Sequence, residues 1–88
     1  MPIQVNQEKA LQKKRETASL SKANFKLALM EGGYLQDVKE FVANTNDERI
    51  EILWEDSDTF ARLDPDLMNM ATQMGYTDEQ MDAIFGVS

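Results

Sequence analysis

The sequence predicts an all-α protein: a small bundle of about five short helices, preceded by a basic N-terminal arm. Three observations support this fold class. Apolar residues recur at the helical spacing of about 3.6 residues along successive segments. Capping residues and glycines mark where those segments start and stop. No segment alternates apolar and polar residues with the period of two that is typical of a half-buried strand.

The first eighteen residues form the predicted arm. They are mostly polar, and Ile3, Val5 and Leu11 are too sparse to make a strong apolar stripe. A segment of this kind either is disordered or forms a helix, over about residues 7–18, that a partner must order. We predict a mobile arm that ends in a helix, followed by an acidic, all-helical domain over residues 19–88.

The first two helices of the domain follow from their caps and their apolar spacing. Ser21 is a suitable N-cap, and Phe25 and Leu29 follow it on one helical face. The glycine pair at 32–33 ends this helix, because glycine adopts the left-handed conformation without steric cost. The segment YLQDVKEFVAN predicts the second helix. Its apolar face consists of Leu35, Val38, Phe41 and Val42.

The third predicted helix covers the segment TNDERIEILWEDSDTFARL. Thr45 and Glu48 have the spacing of a capping box, in which each side chain binds the other residue's backbone N–H. The apolar residues that follow at helical spacing are Ile50, Leu53, Trp54, Phe60 and Ala61. We expect Trp54 with Phe60 to anchor the core.

The last two helices have the clearest start and stop signals. Asp64 is a suitable N-cap, Pro65 fits the first helical position, and Gly75 fits the residue just past the end. Thr77 and Gln80 predict a capping box for the final helix. The residues expected to be buried are Leu67, Met68, Ala71 and Met74 in the first of these helices and Met81, Ile84 and Phe85 in the second.

The net charge of −7 is unevenly distributed along the chain. Residues 1–26 carry six basic and two acidic side chains, a net charge of +4. Residues 27–88 carry three basic and fourteen acidic side chains, a net charge of −11. This asymmetry indicates a basic arm joined to an acidic body. Both parts either are solvated surfaces that keep a small protein in solution or bind partners of opposite charge.

The composition excludes several kinds of site. The chain contains no cysteine and no histidine, which removes the usual zinc sites, Cys–His and Ser–His nucleophile pairs and any imidazole acid or base. Glu55 and Asp58 could pair as acid and base, but nothing nearby suggests a pocket or an oxyanion donor. We therefore expect no catalytic residues, no metal site and no cofactor. No apolar run approaches the roughly 18 residues of a membrane span, so we expect a cytoplasmic protein without a membrane partner.

The segment MATQMGYTDEQMDAIF resembles a helix-turn-helix in its spacing. Ala71, Gly75 and Met81 occupy the positions of the small residue, the turn glycine and a packed apolar residue. DNA affinity, however, comes largely from Lys and Arg that neutralise phosphates, and neither occurs after Arg62. The second helix instead carries acidic residues that we expect to face the solvent, namely Asp78, Glu79 and Asp82. We therefore predict no nucleic-acid-binding residues in this hairpin.

The letters QMGYTDEQM also resemble the first loop and second helix of the ubiquitin-associated domain. That family requires a third helix to complete its ubiquitin-facing surface, and this sequence ends at Ser88. The resemblance therefore leaves Met74, Gly75 and Tyr76 without their usual partner surface.

The candidate partner-binding residues lie on the arm and at two positions of the acidic domain. Methionine-rich surfaces accommodate varied partner helices, and Met70 is the methionine that we expect to be exposed, because it lies opposite Leu67 and Met68. The full candidate set is Lys9, Leu11, Lys13, Lys14, Arg15, Met70 and Tyr76. The residues expected to serve as core or caps are Phe25, Trp54, Phe60, Asp64, Pro65, Leu67, Gly75, Thr77, Met81 and Phe85.

A wider resemblance covers roughly residues 20–85. The segments LSKANFKLALMEGGYLQDVKEFV and IEILWEDSDTFARLDPDLMNMATQMGYTDEQMDAIF resemble small proteins encoded among the tail and tail-fibre genes of tailed bacteriophages and prophages. The matching positions are Ser21, Lys22, Phe25, Trp54, Phe60, Arg62, Pro65, Leu67, Gly75, Thr77, Gln80, Asp82 and Phe85. The resemblance implies a virion or assembly component made in the cytoplasm of an infected cell, with another phage structural protein as its partner.

Two functions from different classes are consistent with these observations. The first is a non-enzymatic interaction module, either a minor tail or tail-fibre component or a tail assembly factor, whose arm becomes ordered on a partner. The second is an acidic inhibitor that mimics nucleic acid and blocks a host defence nuclease. The oligomeric state stays open in both.

Overall fold

The computed structural model describes the backbone of residues 2–87 and the side chains of residues 9–87. This part of the chain contains six helices and one two-stranded sheet, which confirms the mainly helical fold class. In chain order the elements are α1 (Pro2–Thr17), β1 (Ser19–Ser21), α2 (Lys22–Gly32), α3 (Leu35–Asn44), α4 (Glu48–Asp56), β2 (Thr59–Ala61), α5 (Pro65–Met74) and α6 (Asp78–Phe85). The helix that was not among the five predicted is α1, which occupies the segment predicted as the arm.

The predicted caps define both ends of α2 and α5. The Ser21 side chain accepts a hydrogen bond from the N–H of Asn24, and Gly33 ends α2 with a φ of 82°. The Asp64 side chain accepts from the N–H of Leu67, and Gly75 ends α5 with a φ of 80°. A left-handed φ is accessible to glycine without steric cost. These caps satisfy backbone groups that a helix end otherwise leaves unpaired.

The capping box predicted for α6 is present, whereas the one predicted for α4 is wrong. Thr77 and Gln80 exchange their side-chain and backbone hydrogen bonds at the start of α6. The N-cap of α4 is instead Asp47, whose side chain accepts from the N–H of Arg49. Thr45 ends α3, and its hydroxyl accepts from the N–H of Asp47. The loop between α3 and α4 therefore consists of the three residues 45–47.

The short sheet corrects the prediction that the chain has no strand. β1 and β2 pair antiparallel, with Leu20 opposite Phe60. Each strand has three residues, too few for a period of two to be visible in the sequence. The third predicted helix consequently ends at Asp56, and Phe60 reaches the core from a strand rather than from a helix.

An aromatic cluster centred on Phe25 forms the middle of the core. Its ring stacks on Phe60 at a centroid distance of 4.4 Å and meets Phe85 at 5.6 Å. Trp54 approaches Phe25 edge-on at 6.5 Å. The predicted pair Trp54 and Phe60 is thus buried, but Phe25 is the residue that joins it to α6. The remaining buried apolar residues are Leu29, Val38, Val42, Ile50, Leu53, Leu67, Met70, Ala71, Met81 and Ile84.

Met70 is buried, so the expectation that it is the exposed methionine is wrong. It retains 2% of its accessible surface, whereas Met68 retains 38%. The helical spacing allows two apolar faces for α5. Both contain Leu67 and Ala71, and one adds Met68 whereas the other adds Met70, so spacing alone does not show which methionine is buried. In the structure α5 packs on α4 with the Met70 side turned to the core.

The molecule is elongated because of α1. Its principal dimensions are 46 × 22 × 21 Å, and a helix of 16 residues is about 24 Å long. The main packing contacts join α2 to α3 and α6 and join α4 to α3 and α5. Helix α1 takes no part in these contacts, so it projects from a body formed by α2–α6.

Candidate functional site

Over residues 9–17, whose side chains the structure describes, α1 is cationic and has no continuous apolar face. Lys9, Lys13 and Lys14 are exposed, and Leu11 is half-buried. A helix that is polar all round gains little from packing on its own domain, and an isolated helix of this length is only marginally stable in water. The basic residues of its last turn, Lys14 and Arg15, favourably face the partial negative charge of the helix C-terminus.

Arg15 attaches the C-terminal end of α1 to α6. Its Nε donates to both carboxylate oxygens of Asp82, at 2.9 and 3.2 Å. Its Nη2 donates to Oδ2 of the same residue at 2.6 Å. Two-pronged pairing of this kind fixes orientation as well as distance, because the guanidinium and the carboxylate are both planar.

Arg62 holds the same carboxylate from inside the protein. Its side chain is 1% exposed, and its Nε donates to Oδ1 of Asp82 at 2.9 Å. Its Nη2 donates to Oδ1 of Asp78 at 3.2 Å. We call Arg15, Arg62, Asp78 and Asp82 the Asp82 cluster. The cluster contains two positive and two negative groups, so its net charge is zero.

The local fold brings these four residues together. Asp78 and Asp82 lie four residues apart on one face of α6. Arg62 directly follows β2, and its backbone N–H donates to the carbonyl of Ala18 at 3.0 Å. Ala18 lies between α1 and β1. The sheet therefore fixes the base of α1 beside α6, where Arg15 reaches Asp82.

The buried position of Asp82 corrects the expectation that it faces the solvent. Asp78 and Glu79 are exposed as expected, with the Asp78 side chain 72% exposed. Asp82 directly follows buried Met81 and precedes buried Phe85 by three residues. That spacing places it on the inner face of α6, a signal that the sequence contained. Its arginine partners could not be identified from spacing.

Asp82 is the group whose ionisation should govern acid stability. The hydrogen bonds from Arg15 lower the pKa of Asp82 most; burial raises it, and Arg62 lowers it further. The carboxyl therefore stays ionised in the folded protein at pH values where it is protonated in the unfolded chain. The unfolded state then binds more protons, so stability falls with falling pH.

We expect the Asp82 contribution to be complete above about pH 4, the ordinary aspartate value, and to disappear as the pH falls through the lowered pKa of Asp82. Urea unfolding at a series of pH values from neutral to strongly acid measures this. Asp82→Asn, which does not titrate, is the control. The difference in unfolding free energy between wild type and this variant should shrink below about pH 4, and a constant difference would contradict the assignment.

The structure separates the remaining candidate partner-binding residues. Lys9 and Lys13 are exposed one turn apart on α1, and Lys14 lies beside Phe85 and Gly86 at the end of α6. The ring of Tyr76 packs on Tyr34 at a centroid distance of 5.1 Å. Its hydroxyl is buried without a hydrogen-bond partner among the described residues, and burial raises the pKa of Tyr76. Arg15 is engaged by Asp82.

The described surface has several open grooves. One of them, with a volume of about 510 Å³, lies between α3 and α5. Among the described residues, no three acidic side chains converge as metal ligands would. Every helix within residues 2–87 is too short or too polar to cross a bilayer. No family model, no curated protein and no solved structure matches the chain.

Proposed function

We propose that this chain is a non-enzymatic protein-interaction module whose helix α1 docks on a partner protein. Its place would be in a tailed phage, as a minor tail or tail-fibre component or as a tail assembly factor. The observation that carries the docking proposal is α1 itself, a cationic helix that projects from the body and is held at its base by the Asp82 cluster. The phage context is supported by the sequence resemblance over residues 20–85.

The energetics of α1 favour docking as its role. The exposed lysines of α1 contribute little to the stability of the body, and without a neighbour the helix is marginal. An acidic surface on a partner would stabilise both the lysines and the helix, and it would accelerate the encounter. Because Arg15 already fixes one end of the helix, less ordering remains to be done on binding.

Deletion of residues 1–17 in the phage that encodes the chain tests the proposal. The body should stay folded, because Asp82 keeps its bond to Arg62. We expect the truncated protein to be lost from purified particles, or assembly to fail. Mass spectrometry of particles and thermal melting of the purified protein measure the two outcomes. Full incorporation of a folded, truncated chain would refute the proposal.

One observation supports the second candidate, an acidic mimic of nucleic acid. Of the three basic residues after position 26, Arg62 is enclosed by Asp78 and Asp82, so its charge is not presented at the surface. Only Lys39 and Arg49 remain exposed against many carboxylates. Such an inhibitor would compete with DNA for a basic host nuclease, more weakly as salt rises. This competition would survive deletion of α1, whereas docking through α1 would not.

A further inference from the structure

The groove between α3 and α5 has an apolar floor and an acidic rim. Phe41 and Met74 are half-buried along it, and Asp37 and Glu40 stand exposed at its edge. The groove is wide open to the solvent and has a volume of about 510 Å³. No Lys or Arg lines it. Its surface therefore fits a group that is apolar along its length and positive at its end, as a lysine side chain is.

The lysines of α1 match this rim in spacing as well as in charge. Lys9 and Lys13 are four residues apart and exposed on one face of α1. Asp37 and Glu40 are three residues apart on one face of α3. Residues at these spacings are neighbours about 5–6 Å apart on a helix surface. Two helices can thus form both ion pairs at once, with the lysine stems lying over Phe41.

A second groove with acidic residues at its edge fits less well. It lies between α3 and α4 and is bordered by Glu51 and Glu55, but Lys39 stands on the same rim. A basic residue at the edge repels an incoming lysine and already neutralises part of the negative charge. The α3–α5 groove is therefore the better acceptor for a cationic helix.

The lysines and the groove do not meet within one chain. None of the ion pairs of the described residues joins Lys9 or Lys13 to Asp37 or Glu40. Helix α1 is continuous from its anchor at Arg15 outward, and Lys9 lies about 9 Å along the helix from that anchor. While α1 stays helical, its exposed lysines do not pair with the groove of the same chain and are available to another molecule.

We propose that the occupant of the α3–α5 groove is the α1 helix of a second copy of this chain. Lys9 and Lys13 of one copy pair with Asp37 and Glu40 of the next, and each copy offers both a helix and a groove. This inference rests on the proposed function, since it names the partner of the same docking helix. The basic segment and the acidic body of the chain are then the two halves of one self-complementary interface.

The purified full-length protein tests this inference by analytical ultracentrifugation at low and high salt. We expect wild type to associate with rising concentration at low salt and to dissociate at high salt, where charges are screened. Reversal of the lysines (Lys9→Glu with Lys13→Glu) or of the rim (Asp37→Lys with Glu40→Lys) should weaken association by roughly tenfold or more, since like charges then face each other. The matched control is Glu51→Lys with Glu55→Lys, which has the same net charge as the rim variant and should associate like wild type.

Recombination of the variants identifies the contact. The lysine variant retains an intact groove and the rim variant an intact helix, so an equal mixture should form mixed pairs. A chain that carries all four reversals should regain association. Three results would each overturn the inference. They are a wild type that stays monomeric at low salt, a lysine or rim variant that associates as strongly as wild type, and a mixture of the two variants that does not associate. If the protein alone is monomeric while deletion of residues 1–17 still abolishes incorporation into particles, self-docking fails and the proposed function stands.

Discussion

Replacing Asp82 with alanine should lower the unfolding free energy by about 3–5 kcal/mol, the usual loss when one partner of a buried ion pair is removed. Arg62 is 1% exposed, and Nε of this residue would lose its acceptor on Asp82. A protein of 88 residues has a total stability of only about 4–13 kcal/mol. The melting temperature should accordingly fall by roughly 12 °C or more, as measured by circular dichroism.

Two variants of the same cluster serve as controls. Asp78→Ala removes a carboxylate that is 72% exposed, so its loss should be within about 1 kcal/mol. Asp82→Asn retains the shape and an acceptor oxygen, so it should lie between the two alanine variants. Equal effects of Asp82→Ala and Asp78→Ala would mean that Arg62 is satisfied without Asp82, and the assigned role of the cluster would be wrong.

Signals that act within a few residues were predictable from the sequence. The caps at Asp64 and Thr77 and the stop at Gly75 each depend on backbone geometry within four residues. The position of these helices along the chain follows directly from them. The exposure of Lys9 and Lys13 was also predictable, because lysine is almost never fully buried without a partner and the arm has few apolar residues that could pack over it.

Contacts between distant segments were not predictable in this way. Arg15 and Asp82 are 67 positions apart, and Arg62 and Asp82 are 20 apart. Nothing in the sequence near an aspartate shows which distant arginine it will bind, because the tertiary fold brings the two together. The pairing of Leu20 with Phe60 has the same origin, since a three-residue strand exists only through its distant partner.

The Asp82 cluster explains why the acidic body and the basic arm form one structure. One carboxylate of α6 binds an arginine from α1 and an arginine that follows β2. The same contact that neutralises buried Arg62 therefore sets the position of α1. Helix α6 therefore has a definite structural role, since its Asp82 binds the base of α1.

Replacing Phe25 with alanine should also lower the unfolding free energy by about 3–5 kcal/mol, through the cavity left in the core. The Phe25 ring contacts Phe60, Trp54 and Phe85, so it joins α2 to β2, α4 and α6. Favourable ring pairs add about 0.5–1.5 kcal/mol beyond the buried area. Urea unfolding at neutral pH measures the loss.

Leu27→Ala provides a matched control on the same helix. Leu27 lies two residues from Phe25 and remains 49% exposed, so the change should stay within about 0.5 kcal/mol. Phe and Leu differ in helix propensity by less than about 0.7 kcal/mol, so a difference of several kcal/mol between the two alanine variants reports packing. Equal effects would show that α2 does not insert Phe25 between the other rings. A large effect confined to Phe25 would show that α2 stabilises the body mainly through the contacts of this ring with α4, β2 and α6.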